Sequence, residues 1–97
     1  MQVQVPFELH GCAADQPGTV TKLAMRLRRD TTVAQILTIV RGRHYRIRPE
    51  EALILFMRRP KEDGTQNETM PKMTDTVAEL TQGGPVELVV TLESVFG

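Results

Sequence analysis

Ninety-seven residues, 40% of them apolar, suffice for one domain with a packed core and are too few for two. A single cysteine, Cys12, excludes an internal disulfide framework and fits a reducing compartment, and no apolar run approaches the roughly 18–20 residues that cross a bilayer. The formal net charge is zero, yet ten of the twelve basic residues lie between Lys22 and Arg59 with only Asp30, Glu50 and Glu51 among them, a distribution that predicts a basic face.

The chain opens directly on alternation, with no basic-then-apolar signal segment. Val3, Val5, Phe7 and Leu9 alternate with Gln4, Pro6, Glu8 and His10, the period of a half-buried strand. Pro6 has no N–H, so this strand is expected to leave one side partly unpaired or to bulge there. Residues 11–18, with two glycines, Asp15 and Pro17, read as a loop. A second alternating strand follows, with Leu23, Met25 and Leu27 inward and Lys22, Arg26 and Arg28 outward, giving an antiparallel hairpin. Thr32 and Gln35 form a capping box that opens a helix, and Val33, Ile36, Leu37, Ile39 and Val40 give it one buried stripe. The helix is expected to end between Arg43 and Arg46, and Pro49 forbids its continuation.

Ala52 to Met57 is an uninterrupted apolar run of strand length, which predicts a central strand covered on both faces or nearly so. The polar stretch 59–69 predicts a long mobile loop, and Asp75 to Leu80 one or two helical turns with Val77 and Leu80 facing in. Gly83-Gly84-Pro85 reads as a turn before a last strand in which Val86, Leu88, Val90 and Leu92 alternate with polar residues. The expected architecture is two-layer α+β: a mixed four-stranded sheet, one main helix across one face and a short second helix.

Candidate catalysts are scarce. Nothing places His10 or His44 beside Cys12 with an orienting partner, as a nucleophilic pair requires, so no catalytic residue and no enzyme activity is expected. One cysteine and two distant histidines do not supply a structural zinc site, and no glycine loop followed by Lys and Ser/Thr cradles phosphate, so no metal or cofactor is expected. Arg41 and Arg43 at a helix C-terminus complement the helix dipole. Only Tyr45 lies near the basic residues to stack on bases, so the basic face is read as a protein-partner or solvated surface, not one for nucleic acid. Gly97 carries an α-carboxylate with no Cβ beside it, the least hindered acyl group available for adenylation or thioester formation.

The segments Thr32-Val33-Ala34-Gln35, Val40-Arg41-Gly42-Arg43 and Pro49-Glu50-Glu51-Ala52-Leu53-Ile54-Leu55-Phe56 resemble the helix and central strand of the ubiquitin-like modifiers of autophagy. The ending Phe96-Gly97 is similar to theirs as well, and the order of elements is that of a ubiquitin-like β-grasp, in which the first and last strands lie side by side and parallel. Within this family the chain resembles the type-12 modifier more than the type-8 modifier, which carries two extra helices before its first strand. The type-12 proteins often have tryptophan where this chain has Phe96.

This resemblance implies a ubiquitin-like domain over 1–93 and a conjugation tail over 94–97. It implies activation of Gly97, supported by Phe96, by an activating enzyme, transfer to a conjugating enzyme, and an isopeptide bond to a lysine of autophagy-related protein 5. It further implies a cytoplasmic protein recruited to autophagosomal membranes only indirectly. The alternatives are a type-8-like modifier joined to phosphatidylethanolamine and a noncovalent interaction module. In type-8 modifiers a groove between second strand and helix accepts an apolar side chain; the matching positions here are Met25, Leu27, Ile36 and Ile39, for which core packing is the competing role. Arg26 and Arg28 stand where that groove has lipophilic and proline positions.

Overall fold

The computed structural model describes residues 2–11, 20–45, 51–60 and 66–94. Period-two patterning builds the first pair of strands: β1 (Gln2–His10) and β2 (Val20–Arg28) are antiparallel in an unbroken register from Gln2↔Arg28 to His10↔Val20. Pro6 makes no bulge in that register. The parallel ladder on the other side of β1 begins at Phe7, one residue later, so the missing N–H falls outside it.

Helix α1 (Val33–His44) starts as its sequence dictates. The Thr32 hydroxyl accepts from the Gln35 N–H at 3.2 Å, and the Gln35 side chain accepts from the Thr32 N–H at 3.0 Å. Arg41, Arg43 and His44 occupy the last turn, where the dipole favours cations. The chain then turns extended at Tyr45, whose buried ring closes one end of the core and whose hydroxyl donates to the His10 carbonyl at 2.7 Å. Pro49, the expected block to further helix, lies outside the described residues.

Strand β3 (Glu51–Pro60) is longer than its apolar run, and a fifth strand, β4 (Gln66–Thr69), pairs with its end from Met57↔Thr69 to Pro60↔Gln66. The expected four-stranded sheet, with a loop over 59–69, is thus corrected to five strands. No apolar alternation marks Gln66–Thr69; main-chain pairing and the Arg58–Glu68 ion pair hold it instead. A short helix, α2 (Val77–Thr81), buries Val77 and Leu80. Gly84, at φ 119°, turns the chain in a conformation that favours glycine before β5 (Glu87–Ser94). The sheet order is β2-β1-β5-β3-β4, mixed because β1 and β5 run parallel from Phe7↔Leu88 to Leu9↔Val90.

The core lies between the helices and one sheet face. Val5, Phe7 and Leu9 of β1, Met25 and Leu27 of β2, Leu55 of β3, and Leu88 and Val90 of β5 meet Val33, Ile36 and Val40 of α1. Burying each large side chain stabilises by about 1.5–3 kcal/mol. On the opposite face Ile54 and Phe56 of β3 are half-buried and belong to no core cluster, while Val89 of β5 and Glu8 of β1 are buried. From Ala52 to Met57 no residue of β3 is fully exposed, on either face.

The two helix starts clasp each other. Val33 and Ala34 donate to the carbonyls of Asp75 and Met73 at 2.9 and 3.1 Å, while Val77 and Ala78 donate to Thr31 and Arg29 at 2.9 and 3.0 Å. Four orphan N–H groups are thereby satisfied across the pair. Thr76 and Glu79 form a second capping box. Thr32→Ala and Thr76→Ala are each expected to lower the unfolding free energy by about 1 kcal/mol. Urea titration of each variant checks this, and an unchanged midpoint would contradict the cap.

Candidate functional site

β5 is the middle strand, and its last residue, Ser94, pairs with Glu51. Phe96 and Gly97 lie outside the described residues, as does Cys12.

The four candidate groove residues divide. Met25, Leu27 and Ile36 are 9%, 5% and 0% exposed and sit in the hydrophobic core. Ile39 is half-buried and, with Arg28, Ala34 and Thr38, lines an open cleft of about 550 Å³ between the end of β2 and α1. Arg26 and Arg28 are exposed, and Arg28 Nε lies 3.4 Å from Asp30 Oδ1. Arg41 and Arg43 are also exposed, whereas Arg46 and Arg48 lie outside the described residues.

The last two cations of the basic span are turned to other work. Arg59 Nη2 donates to the Leu80 carbonyl at 2.6 Å, at the C-terminal end of α2, where the dipole favours a cation. Its guanidinium lies where a Cβ at Gly83 would sit, so a side chain there would push the end of Arg59 aside. Arg58 is 18% exposed in its side chain and stands among three carboxylates: Glu68 Oε1 at 3.0 Å, Glu87 Oε1 at 3.1 Å and Glu8 Oε2 at 3.4 Å. Glu8 also accepts from His10 Nε2 at 2.7 Å, and Lys22 Nζ lies 4.0 Å from its other oxygen. Each of the five strands contributes a charge to this network on the sheet face away from the helices.

The His10 hydrogen bond holds the Glu8 carboxyl below its ordinary value of 4.5; burial pushes the other way, and the Arg58 charge adds to the lowering. At Arg58 burial opposes the charge, but the hydrogen bond to Glu68 and the fields of the three carboxylates outweigh it and raise its pKa. A carboxyl lowered on folding contributes stability that is fully present above pH 4.5 and is lost as pH falls through its lower folded value. Glu8→Gln is therefore expected to flatten the acid limb of the stability profile below pH 4.5. Thermal melts across that range read it, and a slope equal to that of the unmodified chain would contradict the assignment.

Sequence reasoning did not single out this network, because its members are far apart in the chain and only the strand order brings them together. Among the described residues no group of three or more His, Cys, Asp or Glu is placed to hold a metal ion, and no helix is long and apolar enough to cross a membrane. Compared with known proteins, the chain matches no family model and none of the curated proteins.

Proposed function

We propose that this chain is a ubiquitin-like β-grasp modifier of the autophagy type, joined to its target through the carboxyl group of Gly97. The observation that carries the reading is the five-strand order β2-β1-β5-β3-β4, with β1 and β5 parallel at its centre and α1 across one face. The parallel central pair is the arrangement that the sequence resemblance implies.

In the proposed sequence the Gly97 carboxylate attacks the α-phosphorus of ATP and pyrophosphate leaves. A cysteine thiolate of the activating enzyme then attacks the acyl-adenylate and AMP leaves. Transthiolation carries the acyl group to the conjugating enzyme, and a lysine amine, proposed to belong to autophagy-related protein 5, displaces that thiol to form the isopeptide. Glycine suits these steps because no Cβ obstructs attack on its acyl carbon. The chain acts as acyl donor and later as a binding surface. Its proposed place is the cytoplasm, with membranes reached through its conjugate.

The experiment is expression of the tagged chain, and of its Gly97→Ala variant, in cells of its source. A larger covalent species that survives denaturant and thiol is expected, and it is expected to vanish in the variant. A species unchanged by Gly97→Ala would reject the proposal.

A further inference from the structure

β4 is the least anchored strand of the sheet. Its four residues, Gln66-Asn67-Glu68-Thr69, include no apolar side chain, and no residue from Glu68 to Thr74 is buried. It lies at the edge and pairs only with β3, and the last partner in that ladder, Pro60, has no N–H to give. Among the described residues its one ion pair joins Glu68 to Arg58 at 3.0 Å, and the Glu68 side chain is 48% exposed. The next main-chain tie to another element, among the same residues, is the Met73 carbonyl, which accepts from the Ala34 N–H at 3.1 Å.

β3 is held without β4. It pairs with β5 from Glu51↔Ser94 to Arg58↔Glu87. Arg59 reaches the Leu80 carbonyl at the end of α2. Arg58 is shared among three carboxylates, so loss of Glu68 still leaves it Glu87 at 3.1 Å and Glu8 at 3.4 Å. Removal of β4 therefore takes no side chain of its own out of the core and leaves the Arg58 guanidinium paired.

We infer that β4 is a detachable strap, held shut by the Glu68–Arg58 pair, which lifts off β3 while the other four strands and both helices stay folded. Opening moves the free edge of the sheet from four polar residues to the end of β3, whose main chain over Met57–Arg59 then stands unpaired on that side, the condition under which an edge accepts another strand. Such a local opening takes far less free energy than global unfolding, because little apolar surface meets water. Gly97 has no part in it, so the inference stands whether or not the chain is conjugated.

The test is native-state amide hydrogen exchange of the full chain by NMR, in urea below the unfolding transition. Successive N–H groups of a strand with two neighbours point to opposite sides, so β3 supplies both the probe and its control. Amides of β3 turned to β4, and amides of β4 turned to β3, are expected to exchange at least about tenfold faster than amides of β5 and those of β3 turned to β5. Their rates are expected to rise only weakly with urea, since that slope follows the surface exposed on opening. Glu68→Gln keeps the shape and removes the charge, and is expected to speed the strap amides about two- to fivefold. One exchange rate and one urea slope across β4, β3 and β5 would mean that β4 opens only with the whole fold. Strap amides unmoved by Glu68→Gln would mean that the pair does not hold it. Either result overturns the inference.

Discussion

Ile36→Ala is expected to lower the unfolding free energy by about 3 kcal/mol, roughly a 100-fold fall in the ratio of folded to unfolded chain. Ile36 is fully buried, on the face of α1 turned to the sheet, among Val33, Val40, Phe7 and Leu9. Truncation removes three buried carbons and leaves a cavity that the two rigid layers close only in part. Ile39, one turn away and half-buried at the cleft, retains solvent on one side, so Ile39→Ala is expected to cost about 1 kcal/mol. Urea titration of both variants gives the comparison. A larger loss for Ile39→Ala would place the wrong residue in the core. The pair also has functional use: loss of a partner on Ile36→Ala reports destabilisation, whereas loss on Ile39→Ala under conditions where the variant is still folded reports the cleft.

Arg58→Ala is expected to lower stability at neutral pH by about 2–4 kcal/mol. Most of this comes from Glu8, which is 9% exposed and is left with His10 and a distant Lys22 as partners. The Glu68 and Glu87 side chains are 48% and 28% exposed, and water and salt replace much of what they lose. The sign of the pH dependence separates charge from packing. Once Glu8 protonates, below its depressed folded value, its unpaired charge is gone. The gap between variant and unmodified chain is therefore expected to shrink in acid. Urea titration at pH 7 and at pH 3 measures it; a gap of equal size at both would assign the loss to the Arg58 methylenes instead of its charge.

Strands with one wet face and one dry face announced themselves. β1 and β2 alternate in sequence because α1 covers one side of the sheet, and α1 carries its stripe for the same reason, whereas β5 buries Leu88, Val89 and Val90 in succession. The Thr32–Gln35 box was legible because both partners lie within four residues. The Thr76–Glu79 box carries the same spacing and could have been read the same way. β4 was not legible: four polar residues have no periodicity to find, and their pairing depends on where β3 ends. The apolar run of β3 was legible as a strand, and its outer residues Ile54 and Phe56 are half-buried. Arg58 and Glu8 are fifty positions apart, and only the order of the strands makes them neighbours. Met25, Leu27 and Ile36 show the limit of pattern for sites: the alternation that suggests a groove lining is the alternation of a core.

The most direct measurement is the intact mass of the activating enzyme of the autophagy modifiers after incubation with this chain and ATP, with and without added thiol. The account predicts an adduct one chain heavier, less one water, that needs ATP, disappears on thiol treatment and does not form when Gly97 is removed. An activating enzyme that stays unmodified, or an adduct that forms equally well without Gly97, would contradict it.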